Sequence, residues 1–278
     1  MCRNCGTGLT RPPAAAGESA RYYPEGYGPF EATAGRVTGF ISGVIRSRQG
    51  RQALSTQPFS VLRDAPPGRL VDVGCGRGDL AAMFASRGWH AVGVEPSHSA
   101  CVVARARGVD ARQGTLGSVP LESEAYEAAL FQHSLEHTED AVGDLTRVAS
   151  VLRPGGLVLI TVPNFGSWQR RRFGSRWFHL DLPRHRTHFT ASGLAKALTR
   201  AGFEVTSITT STTSVGLPAT VQYAVVGRCL FPDGLGLRVA AGLCVVTVPL
   251  ARALDRAAGG GDQLHVVARR PARKADQR

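Results

Sequence analysis

The sequence predicts a doubly wound α/β fold: a parallel, seven-stranded sheet with helices on both faces and a helical hairpin inserted before the last strand. Three observations predict it. Short apolar runs alternate with helix-like segments between residues 68 and 212. A glycine-rich turn, Gly74-Cys75-Gly76-Arg77-Gly78, follows the first of these runs. Two longer apolar runs then break the rhythm before a final apolar run at 262–270.

Taken in order, residues 1–35 read as a flexible start, rich in Pro, Ala and Gly and then in Tyr. Residues 36–63 alternate apolar and basic residues at roughly helical spacing, and "DAPPGR" (64–69) breaks them. "RLVDVG" (69–74) is a strand, "DLAAMFASRG" (79–88) a helix closed by Gly88, and "HAVGVE" (90–95) a second strand. Ser97 is positioned to cap a helix that runs to Gly108. "VDARQG" (109–114) and "YEAALFQHS" (126–134) give the third and fourth strands. A helix over 138–152 ends at "RPGG", and the nearly all-apolar "LVLITVPN" (157–164) suits a central strand. A capped helix over 190–202 and a sixth strand over 203–211 complete the core at residue 214. The hairpin is expected over 215–256, the last strand within 257–270 and a basic tail over 271–278.

Neither hairpin run reaches the roughly 20 clean apolar residues of a membrane-spanning helix. It therefore packs on the sheet, joins a second copy in a homodimer, or lies at a membrane surface. The formal net charge of +12 admits nucleic acid, acidic lipid or a phosphorylated substrate as partner. With 31 arginines and two lysines and no appended RNA-binding module, nucleic acid ranks below the other two. No apolar signal core opens the chain, so a reducing, cytoplasmic protein with free thiols is expected. Cys2 and Cys5 form one knuckle without a second, and structural zinc takes four ligands, so no metal is expected.

The glycine turn lets a ligand touch backbone, and the helix after it offers free N–H groups. Asp72 precedes the first glycine, Glu95 ends the second strand where a carboxylate can accept two ribose hydroxyls, and "GTLGSVP" (114–120) follows the third, where an adenine could lie. A dinucleotide site prefers a further glycine where this chain has Asp79. Two acids suit a sulfonium and an ammonium better than a pyrophosphate, which points to S-adenosyl-L-methionine (SAM) over NAD.

"VDVGCGRG" (71–78), "VGVEPS" (92–97), "FQHSLEHTED" (131–140) and "VLRPGGLVLITVPN" (151–164) together resemble the class I SAM-dependent methyltransferases, which have a Rossmann-like fold. "YYPEGY" (22–27) and "PNFGSWQRRRFGSRWFHLDLPRHRTHFT" (163–190) resemble the ubiquinone-biosynthesis-methyltransferase-like branch. Some relatives carry an N-terminal zinc ribbon, of which the Cys2/Cys5 knuckle looks like a remnant. The resemblance implies that Asp72, Gly74 and Gly76 line the methionine end and that Glu95 holds the ribose. Cys75, Gly78, Pro96, Gln132 and His133 complete the expected cofactor set, with Thr115 and Leu116 as candidates for adenine. Thr115 stands where an acid often touches adenine, and Glu127 where aspartate often opens the fourth strand.

The methyl acceptor should sit at the carboxyl ends of the fourth and fifth strands. His133 is the leading candidate base there, and His137 orders the loop. The segment 164–190 can cap the pocket. Its Arg172, Arg176, Trp177 and Arg184 suit an anionic acceptor, and His185 and His188 are further candidate bases. The expected activity is methyl transfer to a small-molecule or lipid-linked acceptor, most simply at oxygen, by a cytoplasmic enzyme peripheral to the inner face of a membrane. An NAD-dependent oxidoreductase and a non-catalytic SAM-binding scaffold are the alternatives.

Overall fold

The computed structural model describes residues 1–12, 22, 57–227 and 247–272. Strand β1 (Gly8–Leu9) precedes the core. The core then runs β2 (Arg69–Val73), α1 (Asp79–Ala85), β3 (His90–Glu95), α2 (His98–Arg105), β4 (Asp110–Gln113), β5 (Tyr126–Gln132), α3 (Ala141–Val151) and β6 (Leu152–Pro163). There follow α4 (Trp168–Phe173), β7 (Thr187–His188), α5 (Ala191–Arg200), β8 (Glu204–Ser211), α6 (Gly216–Val226), helical residues 247–257 (α7) and β9 (Gln263–Arg269).

Seven strands form one sheet in the order β4-β3-β2-β5-β6-β9-β8. Alternation along each strand sends side chains to opposite faces. In β2, Val71 and Val73 join Leu145, Val148, Leu194 and Leu198 of α3 and α5 on one face. Leu70 joins Ala81, Phe84, Cys101 and Ala104 of α1 and α2 on the other. In β6, Val158, Ile160 and Val162 face the first layer and Leu159 the second. The core therefore has two apolar layers, one on each side of the sheet.

The strands β4, β3, β2, β5 and β6 are parallel, as expected. The last strand corrects the all-parallel expectation: β9 inserts between β6 and β8 and runs antiparallel to both. An antiparallel neighbour needs no crossover. The chain leaves β8 at the carboxyl edge of the sheet, makes α6 and α7, and re-enters as β9 from that same edge. The insertion therefore stands over the site end of the sheet, and the first residues of β9 belong to the site.

Within 215–256, where a hairpin is expected, the described residues form α6 and α7; the segment between them, with the expected turn "PDGLG" (232–236), lies outside the described residues. No helix among the described residues is long and apolar enough to cross a membrane. Most of the helical expectation over 36–63 also falls outside them; Phe59–Leu62 forms one 3₁₀ turn with Phe59 and Leu62 buried.

Residues 1–12 were expected to be loose, and here the structure differs. The N–H of Cys2 donates to Thr7 O (2.7 Å) and that of Gly6 to Cys2 O (2.9 Å). Strand β1 then pairs antiparallel with β7, Gly8 opposite His188. Composition misses this because the bonds that fix the segment are long-range. Thr190 Oγ1 donates to Cys5 O at 2.6 Å, and Thr10 Oγ1 to His185 O at 2.5 Å.

Candidate active site

The turn after β2 is built from left-handed glycines: Gly74, Gly76 and Gly78 have φ of 70°, 52° and 74°. Side chains rarely adopt this conformation. A Cβ on Gly74 would also lie 2.5 Å from Ser134 Cβ. The turn is tied to β3 through Gly74 N–H to Val94 O (2.7 Å). Gly78 caps α1.

Glu95 is buried at the end of β3 and organises the cradle. Its Oε2 accepts from Gly76 N–H (2.9 Å) and its Oε1 from Ser97 N–H (2.8 Å). Each oxygen keeps a second lone pair, so the carboxylate can still take two ribose hydroxyls. Burial raises its pKa, and the two backbone bonds pull the other way. Burial, with the Glu95 charge nearby, pushes Asp72 up to about 7, opposed by a hydrogen bond from the backbone of Ala81. Two carboxyl groups against exposed backbone fit a cationic donor with a ribose. Asp79 points elsewhere: it is exposed and pairs with Arg107 at 2.6 Å.

The other predicted cofactor residues surround this cradle. Cys75 is buried, and its thiol is pushed far up by burial first and by the charges of Asp72 and Glu95 next. Pro96, just after β3, and Gln132, the last residue of β5, are exposed. Leu116 is buried in the core, and Thr115 N–H is bonded to Ser118 Oγ (2.9 Å) within its own turn.

His133 follows β5 directly and has φ +53°, an unusual conformation for a residue with a side chain. Its backbone N–H donates to Thr161 O of β6 (2.9 Å). Its neighbour Ser134 donates to Val73 O (2.5 Å) and packs against Gly74. His133 therefore stands one residue from the floor of the glycine cradle. Its Nδ1 lies 3.4 Å from Glu136 Oε1, and its Nε2 is 2.8 Å from Gln263 Nε2. The ring is 37% exposed while Glu136 is 1% exposed, so an accessible imidazole sits on a buried carboxylate.

Burial alone would raise Glu136. The hydrogen bond from His133 and the nearby His137, His133 and His185 outweigh burial and hold it at about 2. Glu136, His137 and His185 offer one ligand atom each within 4.8 Å, a spacing that could hold a metal.

The predicted residues of the lid serve more internal roles. His185 is buried, its Nδ1–H donates to His179 O (2.8 Å), and burial lowers it to about 4. His188 is buried against Phe165, meets Thr10 Oγ1 through Nε2 (3.0 Å), and burial takes it to about 4 as well. Arg184 is held by both oxygens of Asp181. Trp177 is buried, and Arg176 reaches Ala224 O of α6 at 3.3 Å. Arg172 is exposed, with its guanidinium 5.7 Å from the Phe173 ring. Only His133 of the three predicted bases combines exposure with closeness to the cradle.

Sequence reasoning missed Ser134, Ser211, Gln263 and His265. Gln263 and His265 come to the site because β9 runs antiparallel, which strand periodicity does not reveal, and Ser211 ends β8 beside them. Ser134 had one available signal, the tight turn that Gly74 imposes beside it.

A ubiquinone biosynthesis O-methyltransferase of Azorhizobium caulinodans is 29% identical over 182 residues, 61% of this chain and 70% of its own. Its counterpart in Dinoroseobacter shibae is 29% identical over 177 residues, covering 59% and 69%. Among solved structures, a SAM-dependent methyltransferase of Mesorhizobium loti shares the fold at TM-score 0.51, with 20% identity over 76% of this chain and 97% of its own. The [4+2]-cyclase SpnF shares it at TM-score 0.54, with 23% identity over 81% and 80%. Residues 45–208, more than half of the chain, match the methyltransferase-domain family. With the glycine cradle, the Glu95 carboxylate and the seven-stranded sheet in place, the chain belongs to that family and is a SAM-dependent methyltransferase.

Proposed function

We propose that this enzyme methylates a hydroxyl oxygen of a small, anionic or lipid-linked acceptor, with His133 receiving the acceptor's proton. The observation that carries this reading is the placement of His133: exposed, on a buried carboxylate, and one residue from the side chain packed on Gly74. SAM supplies an electrophilic methyl group on a sulfonium. The chain's task is to hold an oxygen in line with it and accept a proton. Asp72, Gly74, Gly76 and Glu95 would hold the donor. The named activity of the ubiquinone biosynthesis relatives supports oxygen as acceptor.

A membrane-borne acceptor is supported by the flank beside the lid. Tyr223, Val225 and Val226 of α6 are exposed, and Arg171, Arg172 and Arg176 are exposed on the adjoining lid. Apolar side chains rimmed by arginines suit the inner, anionic leaflet of a membrane, where the enzyme would bind peripherally. Flotation with phosphatidylglycerol vesicles tests this: wild type should float, and Val225→Asp/Val226→Asp should not. Equal recovery with phosphatidylcholine would argue against charge recognition. Concentration-dependent dimers lost in the double variant would assign the flank to a second copy instead.

The chemistry is tested with methyl-labelled SAM and 3,4-dihydroxybenzoate as an anionic hydroxyl probe. His133→Ala should retain SAM binding and lose roughly 100-fold or more in transfer, the scale of a general base. Full activity in that variant would overturn the assignment.

A further inference from the structure

Around His133 the hydrogen bonds form a sequence whose direction can be worked out atom by atom. An amide nitrogen only donates. Gln263 Nε2, 2.8 Å from His133 Nε2, therefore donates to it, and His133 must carry its proton on Nδ1. That proton faces Glu136 Oε1 at 3.4 Å, which is the stable arrangement beside a carboxylate. A flipped Gln263 amide would need Nε2–H on His133 and would aim a bare Nδ1 lone pair at Glu136. The buried carboxylate thus decides the amide's orientation as well as the tautomer.

The same logic continues behind Gln263. Its Oε1 accepts from Ser211 Oγ–H (3.4 Å). Ser211 has spent its one proton, so its oxygen accepts from His265 Nε2–H (2.7 Å). His265 Nδ1 then accepts from Thr161 Oγ–H (3.1 Å). Burial, and after it the neighbouring His133, lowers His265 to about 4, so this ring is neutral at pH 7 and can play only one donor role. Four hydrogen bonds run one way, from Thr161 of β6 through His265 of β9, Ser211 of β8 and Gln263 of β9 to His133 after β5, whose Nδ1 then faces Glu136.

We propose that Gln263 is a positioning residue for His133: the one-way chain fixes the Nδ1–H tautomer and holds the Nε2 lone pair in the place that an acceptor hydroxyl takes over. This rests on the reading of His133 as the proton acceptor. When a hydroxyl displaces the amide, its proton passes to the Nε2 lone pair and the O–H electron pair stays on oxygen. The resulting imidazolium lies against the Glu136 carboxylate. Serving both functions, a placeholder without substrate and a donor that swings aside with it, requires a neutral amide; a carboxylate at 263 would pull a proton onto Nε2 and block the base.

The test is the nitrogen NMR spectrum of the whole protein labelled at histidine, recorded at pH 8 without acceptor, with His133→Gln and His265→Gln for assignment. Opposite tautomers are expected: His133 with Nδ1–H and His265 with Nε2–H. Gln263→Glu should add a proton at His133 Nε2, and Ser211→Ala should let His265 exchange between tautomers while His133 stays fixed. His133 carrying Nε2–H in the wild type, or a His133 signal unmoved in Gln263→Glu, would overturn the proposal; the wild-type spectrum decides alone if a variant does not fold. In the assay above, Gln263→Met should lower kcat/KM about tenfold through lost positioning, with SAM affinity unchanged. The two readings fail separately: the expected tautomers with an active His133→Ala enzyme would keep the chain and remove the base.

Discussion

Glu95 ties the glycine loop to the end of β3: its two oxygens each accept a backbone N–H, from Gly76 and from Ser97, and in the proposed site each would also take a ribose hydroxyl. Glu95→Ala should weaken SAM binding by roughly 1–3 kcal/mol through lost ribose bonds and a loosened turn; unchanged affinity in calorimetry would remove Glu95 from the site. Asp72 makes a different prediction, because burial places its carboxyl near neutrality, at about 7. A cationic donor favours the ionised form, so binding releases a proton and SAM affinity should rise from pH 6 to pH 8. Asp72→Asn should flatten that rise, and a slope equal to wild type would place Asp72 away from the donor. His188 carries a linkage to folding instead of to binding. Its folded pKa, about 4, lies below the ordinary 6.5, so the unfolded chain binds its proton first as pH falls. The stability this group contributes is present above 6.5 and lost towards 4. His188→Asn should therefore lose less stability than wild type between pH 6.5 and 4.5 in urea titrations.

The elements of the sheet were legible because local physics dictates them. Ser97, Asp140 and Thr190 each accept a bond from the N–H three residues on, capping α2, α3 and α5. The strand β3 falls where its short, continuous apolar run puts it, and it is buried on both faces. Thr190 carries two roles, capping α5 through Gly193 N–H (3.0 Å) and donating to Cys5 O. Thr190→Ala should cost about 1–2 kcal/mol by urea denaturation, the upper range for a cap; a loss below a few tenths would show that neither bond matters. What stayed hidden depends on partners far along the chain. The two-residue strands β1 and β7 have no periodicity of their own, and each exists through the other. The arginines and histidines of 164–190 were visible as a composition, but composition does not say which are already paired. Arg184 is taken by Asp181 and His185 by the His179 carbonyl, Arg171 and Arg176 reach the carbonyls of Gly166 and Ala224, and Arg172 lies exposed beside the Phe173 ring.

At the level of the whole molecule, the sheet supplies a platform and two chain segments stand outside it. The lid follows β6 and the α6–α7 insertion joins β8 to β9, so both rise from the carboxyl edge where the glycine cradle and His133 lie. They are fastened to each other by Trp168 Nε1, which donates to the buried Asp255 of α7; Thr212 Oγ1, just after β8, donates to the same carboxylate. The shared fold does not fix a reaction, since a [4+2]-cyclase is built on it as well. In this chain a partly exposed imidazole, His133, lies over the buried Glu136 carboxylate beside the cradle. The most direct test of the account is mass spectrometry of the product formed from methyl-labelled SAM and 3,4-dihydroxybenzoate, by wild type and by His133→Ala. The account predicts a methyl ether on a ring oxygen from wild type and about 1% as much from the variant. A methyl on ring carbon, or the same ether at an equal rate from the variant, would contradict it.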